Sequence, residues 1–207
     1  KRLFAAFGIP ATREVVAATP AEAAEAARAF GGNVVVKILS RAVLHKSEIG
    51  GVAVNVAAAD VARTCEAMAA RFAQATHAQP EGFLVQELVT GGVELILGCT
   101  RDAQLGLTIL LGMGGVTAEL YRDTALRLAP LARVDAETMI AELKSAPLLS
   151  GFRGRPKADA AALADAIVAF SQMAMTVGDR LAEAEINPLF VLPDGVLAGD
   201  GLVVVKS

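Results

Sequence analysis

A chain of 207 residues is long enough for one compact domain, or for two small lobes, with a sizeable core. With 54% hydrophobic residues but only 4% aromatic ones, Ala, Val and Leu do the packing, which favours helices laid on sheets. A net charge of −3 without any basic run leaves no footprint for nucleic acid, and no stretch of about 18 uninterrupted apolar residues offers a membrane span.

The opening RLFAAFGIP reads as a helix already under way. The chain starts on Lys1 rather than Met and stops two residues after an apolar run, as a piece of a longer multidomain protein would. Thr19-Pro20-Ala21-Glu22 signals a helix start, with a Thr cap, Pro in the first turn and Glu three residues after the cap. That helix runs to Phe30, where Gly31-Gly32 ends it. Strands follow at Val34 to Leu39 and about Val52 to Val56, then a helix from Asp60 to about Ala75. A strand from Phe83 to Val89 is broken by Gly91-Gly92. Val93 to Cys99 and Leu105 to Leu111 form a hairpin, and Gly112 to Gly115 (GMGG) reads as a turn. A helix from Asp135 to Ser145, capped by Asp135, leads through Arg153-Gly154-Arg155-Pro156 to a long helix, about Asp159 to Val177. A hairpin around Leu192-Pro193-Asp194-Gly195 closes the chain.

Helices and strands alternate over the first 90 residues and hairpins dominate afterwards. The expected fold is α+β in two lobes, 1–89 and 90–207, with a hinge near Leu88 to Gly92. No P-loop is present, and GMGG lacks the strand–helix context of a dinucleotide fingerprint. Cys65 and Cys99 read as small apolar side chains in a reducing, cytoplasmic compartment rather than as a disulfide framework, and no signal-peptide pattern is seen.

Polar residues in apolar surroundings mark the candidate site. If Leu192 opposes Gly195, the same register brings Asn187 opposite Asp200 across the terminal hairpin, with Cβ atoms about 4.5–5.5 Å apart. An amide oxygen and a carboxylate so placed suit Mg²⁺, which takes one or two carboxylates plus phosphates and water; a solvated hairpin face is the plainer reading. Strand alternation adds Glu183 and Glu185 to that face. Lys37, inside VVVKIL, either snorkels at a sheet edge or neutralises phosphate. In LHKSEIGGV, Gly50 and Gly51 let backbone N–H groups approach an anion, Lys46 and Ser47 add donors, and His45 is a proton carrier, a phosphate acceptor or a surface residue. His77 reads as surface, and the Arg153/Arg155 pair as surface more than site. Glu87 and Glu94 bracket the hinge, where Glu94 suits sugar hydroxyls or a salt bridge and the backbone of Gln86 to Val89 suits a purine edge. Arg127 is placed for phosphate, or for Asp123 four residues earlier on a helix.

FLVQE with GGVELILG (Gly91 to Gly98), LHKSEIGGV, LGMGGVTAELYRDTALRLAPL, APLLSGFRGRP and AEINPLFVLPDG resemble the ATP-grasp segment of NDP-forming acyl-CoA synthetases. That family includes ADP-forming acetate–CoA ligases, with succinyl-CoA synthetase β subunits as more distant relatives. The resemblance runs over nearly the whole chain, from about residue 3 to 205. It implies an ATP-grasp fold, two lobes with ATP or ADP and Mg²⁺ between them. Lys37 matches the lysine on the α/β phosphates, Ser47, Gly50 and Gly51 the loop over them, Gln86, Glu87, Leu88 and Val89 the adenine hinge, and Glu94 the ribose acid. Asn187 and Asp200 match the Mg²⁺ pair, Glu185 an acid that holds an incoming phosphohistidine, and His45 a phosphate-relaying histidine; Arg127 joins Lys37 in spreading phosphoryl charge. Relatives carry a basic residue soon after the Asp, where this chain has Gly201 and Leu202.

The implied reaction joins a carboxylic acid, CoA and ATP into acyl-CoA, ADP and phosphate. CoA-binding and CoA-ligase domains would come from the same chain or a partner subunit, with no nucleic acid or membrane involved. The alternative is a nucleotide-sensing or scaffolding module fused to a protein acetyltransferase.

Overall fold

The computed structural model describes residues 1–40, 50–115 and 123–206. Its backbone divides into two units, Thr12–Val89 and Lys1–Ala11 with Thr90–Ser207. The division at 89/90 falls at the expected hinge, but the first eleven residues do not belong to the first unit, so the expected lobe 1–89 is corrected to begin at Thr12. The cause is apolar burial. Phe4, on α1 (Arg2–Ala6), is fully buried against Phe170 of the second unit, with ring centroids 5.8 Å apart. The Ala198 N–H then donates to the Pro10 carbonyl at 2.8 Å.

The first unit is a four-stranded antiparallel sheet in the order β1-β4-β2-β3: β1 Glu14–Ala17, β2 Val34–Leu39, β3 Val52–Val56 and β4 Gly82–Glu87. Two helices pack on one face, α2 (Pro20–Phe30) and α3 (Val61–Thr76). The start of α2 follows its sequence signals: Thr19 Oγ1 accepts the Glu22 N–H at 3.2 Å, the Glu22 carboxylate accepts the Ala18 N–H at 2.9 Å, and Gly31 ends the helix at φ 73°. Val61, Cys65, Met68 and Phe72, three and four apart, form the buried stripe of α3. They meet Val34, Val36, Ile38, Phe83 and Val85, so Val35, Lys37, Leu84 and Gln86 point from the opposite face. The short edge strand β1 escapes sequence reading because three of its four residues are exposed.

The second unit is a six-stranded antiparallel sheet. β5 (Val93–Asp102), β6 (Gly106–Met113) and β7 (Thr124–Leu128) continue outward from the long β8 (Leu181–Leu192). β9 (Gly195–Ala198) and β10 (Gly201–Val205) pair with the other side of β8. Among the described residues its α-helices, besides α1, are α4 (Arg133–Glu142), the single-turn α5 (Ala146–Leu149) and α6 (Ala160–Val177). By length and composition the α6 segment could cross a membrane, but Leu163, Ile167, Phe170 and Ala174 are buried in the core with Leu95, Leu97, Ile109 and Leu111, the position of a core helix. Asp159 caps α6 by accepting the Ala162 N–H at 2.9 Å.

Three expectations change here. Asp135 lies inside α4 and reaches back to accept the Ala132 N–H at 2.8 Å, rather than capping from outside. Gly112 and Met113 extend β6 instead of turning. The Arg127 segment is the edge strand β7, not a helix.

Candidate functional site

The terminal ribbon keeps one register from the turn as far as Glu183 and Val204, beyond which it shifts. Leu192 opposes Gly195, Leu189 opposes Ala198, Ile186 opposes Gly201 and Glu183 opposes Val204. β9 and β10 are therefore one edge, interrupted at Gly199-Asp200. At the interruption the Asn187 N–H donates to the Asp200 carbonyl at 3.2 Å, and the Gly199 N–H to the Pro188 carbonyl at 2.8 Å. Asn187 and Asp200 face each other, as the turn position predicts. Alternation along β8 buries Ala184 and Ile186 and turns Glu183, Glu185 and Asn187 to the face that α6 leaves uncovered. The Asn187–Pro188 peptide is cis, and the pairing of β8 with β5 shifts between Leu95 and Leu97.

Asn187 is exposed, Asp200 and Glu185 half-buried, and one Asp200 carboxylate oxygen accepts the Gly201 N–H at 2.8 Å. These donors are all oxygen, and among the described residues no three His, Cys, Asp or Glu side chains converge into a closed cage. A sparse, hard-oxygen set of this kind fits Mg²⁺, whose remaining positions phosphate and water complete. The glycines beside Asp200 are dictated by aromatic rings: a Cβ on Gly199 would lie 2.6 Å from the Phe190 ring, and one on Gly201 would lie 2.4 Å from the Phe4 ring. Docking of α1 thus accounts for Gly201 just after the Asp.

Glu94 stands exposed on the same open face of the sheet. The Gly114 N–H donates to its carbonyl at 2.8 Å, and a Cβ on Gly114 would lie 2.9 Å from that oxygen, so the GMGG run packs directly on the Glu94 backbone. A cavity of about 340 Å³ opens beside Glu94, bounded by Gly91 and Gly92 and, across from them, by Leu148, Arg155 and Pro156. Arg155, read from sequence as surface more than site, forms part of this wall.

Arg127 does not join them. It pairs in register with buried Ile109, which puts it on the helix-covered face, and its guanidinium binds the Glu142 carboxylate at the end of α4. This bond raises the Arg127 pKa and holds the Glu142 carboxyl below its usual range. Asp123 is not its partner either: it accepts the Lys144 and Ser145 N–H groups at 2.7 and 2.8 Å. The phosphate role expected of Arg127 is therefore corrected to a strand-to-helix ion pair.

In the first unit, Lys37 is half-buried between Leu84 and Val52 on the sheet face that the helices leave open. Gln86 shares that face and is 4% exposed. The Gly51 carbonyl accepts the Ile38 N–H at 2.8 Å, which ties the end of the glycine pair to the strand of Lys37; Gly50 has φ 67°. His45 and Ser47 lie outside the described residues. Glu87 departs from expectation. Its N–H already donates to the Arg13 carbonyl and its carboxylate binds Arg13, while Leu88 and Val89 lie half-buried beyond the end of β4. Cys65 and Cys99 are buried, and burial pushes both thiols up to about 11, as inert core residues.

A family model described as "ATP-grasp domain" matches residues 1–205. The chain is 34% identical to the β subunit of acetate–CoA ligase (ADP-forming) I of Pyrococcus furiosus, covering 99% of this chain and 89% of that one. It is 37% identical to acetate–CoA ligase (ADP-forming) I of Archaeoglobus fulgidus, covering 97% of this chain but only 29% of that protein. The structure of the Ca. Korarchaeum cryptofilum dinucleotide-forming acetyl-coenzyme A synthetase 1 with coenzyme A, Ca-AMPCP and HgCl+ superimposes with a TM-score of 0.92 at 38% identity, over 99% of this chain and 90% of that one. A second structure of that protein contains coenzyme A and Mg-AMPPCP, with its phosphohistidine segment pointing towards the nucleotide-binding site (TM-score 0.83, 36% identity, 98% and 88% coverage).

Proposed function

Because the chain belongs to the ATP-grasp domain family, we propose that it is the Mg·ATP-binding module of an ADP-forming acyl-CoA synthetase. It spans most of a β subunit and under a third of a single-chain relative, so the CoA-binding and CoA-ligase functions fall to other domains or a partner subunit. The observation that carries this reading is the placement of Asn187 opposite Asp200 at the break in the ribbon edge, with Glu185 two residues away on the same face.

Phosphoryl transfer asks the protein for positioning and charge neutralisation. Asn187 and Asp200 would hold Mg²⁺ through oxygen, and the ion supplies positive charge at the phosphate oxygens. Lys37 would place its ammonium on the polyphosphate, with Gly50 and Gly51 offering close backbone approach. Glu94 would accept hydrogen bonds from the ribose hydroxyls. Glu185 would accept an N–H from an incoming histidine, leaving the other ring nitrogen towards the phosphoryl group.

Calorimetry on the 207-residue chain tests the reading. Mg·ATP and Mg·ADP bind, binding is lost with EDTA, and Asp200→Ala weakens it by at least about tenfold, the lower end of what disturbed metal sites lose. Thermal denaturation changes little, because Asp200 is only half-buried. Silence from the wild-type chain would instead favour a scaffolding module.

A further inference from the structure

Arg13 and Glu87 hold each other through backbone and side chain together. The Glu87 N–H donates to the Arg13 carbonyl at 3.0 Å, the Arg13 N–H to Glu87 Oε1 at 2.7 Å, and the Arg13 Nε–H to Oε2 at 2.6 Å. The guanidinium also lies over the Phe30 ring, 5.3 Å from its centroid. The chain entering β1 is thereby clamped to the last residue of β4, immediately before the peptides of Leu88 and Val89.

As an isolated surface ion pair this contact would contribute little, since the Arg13 side chain is 68% exposed. Its position gives it another use. With both backbone and carboxylate of Glu87 fixed, the direction in which the chain leaves β4 is fixed too. The Glu87 N–H is already taken, so an N–H offered to a purine edge has to come from another peptide, and those of Leu88 and Val89 follow directly. We infer that Arg13 is a positioning residue for the base: without touching nucleotide, it holds the Leu88–Val89 backbone in the orientation that pairs with the purine. This rests on the nucleotide reading above.

The test compares Mg·ATP with Mg·tripolyphosphate, which lacks base and sugar, by calorimetry on the 207-residue chain. Arg13→Ala weakens Mg·ATP about tenfold, the loss expected if the freed segment holds its binding geometry about one-tenth of the time. Glu87→Ala weakens it at least as much, and the double variant no further than Glu87→Ala alone, because the two side chains act as one unit. Mg·tripolyphosphate binding stays within about twofold throughout, a selectivity that general loosening of the fold would not produce. Equal losses for both ligands, or no loss of Mg·ATP affinity, would overturn the assignment. A wild-type chain that binds no Mg·ATP would sink the nucleotide reading itself.

Discussion

Asp123 is 7% exposed, and burial by itself would raise its carboxyl pKa. The Ser145 side chain, the hydrogen bonds accepted from the Lys144 and Ser145 amides and the Lys144 charge together outweigh burial and hold the pKa below the ordinary carboxylate value. A carboxyl lowered in the folded state contributes stability that is complete above the unfolded value, about 4, and is lost as pH falls through the folded one. Asp123→Asn should cost about 1–2 kcal/mol at neutral pH and should flatten the loss of melting temperature below about pH 4. Acid limbs that stay parallel in the two proteins would show that this carboxylate is not a source of acid sensitivity. The residue was visible in the sequence, but its partner was not. The spacing of Asp123 and Arg127 suits a helical pair, whereas β7 alternates Ala125 and Arg127 inward with Leu126 and Leu128 outward. Its acid and its base therefore find separate partners across the loop and on α4.

At the scale of elements, the ribbon of β8 to β10 was legible because a two-residue turn fixes the register of everything it joins. Pro193-Asp194 alone brings Asn187 to Asp200, and period-2 burial then places Glu183 and Glu185. Docking of α1 was not legible, since nothing local ties Phe4 to a glycine almost two hundred residues later. The structure makes that tie measurable. A methyl on Gly201 would stand 2.4 Å from the Phe4 ring, so α1 must shift. Gly201→Ala should destabilise by about 1–3 kcal/mol in thermal or denaturant unfolding, as overpacking does. In a Phe4→Ala background, itself costing about 3–5 kcal/mol for a fully buried ring, the same change should add almost nothing. Additive losses would mean that Gly201 answers to something other than Phe4.

For the whole molecule, composition and the order of elements were enough for two α+β units divided at the hinge, because Gly91 and Gly92 take φ 80° and 79° where the chain passes from one to the other. Their membership was less legible, as Lys1–Ala11 joins the second unit by burying Phe4 and Ile9 in its core and by a backbone hydrogen bond. The candidate site shows the same division. Strand residues whose neighbours alternate, such as Glu183, Glu185 and Asn187, could be placed on a face in advance. Arg155, on a loop without periodicity, and Glu87, closed off by a residue 74 positions earlier, could not. The proposed function requires a divalent cation at the ribbon break. Crystals of the chain grown with Mn²⁺ and a non-hydrolysable ATP analogue locate that ion by anomalous scattering. The peak is predicted within coordination distance, about 2.0–2.4 Å, of an Asn187 and an Asp200 side-chain oxygen; nucleotide bound with the peak elsewhere would contradict it.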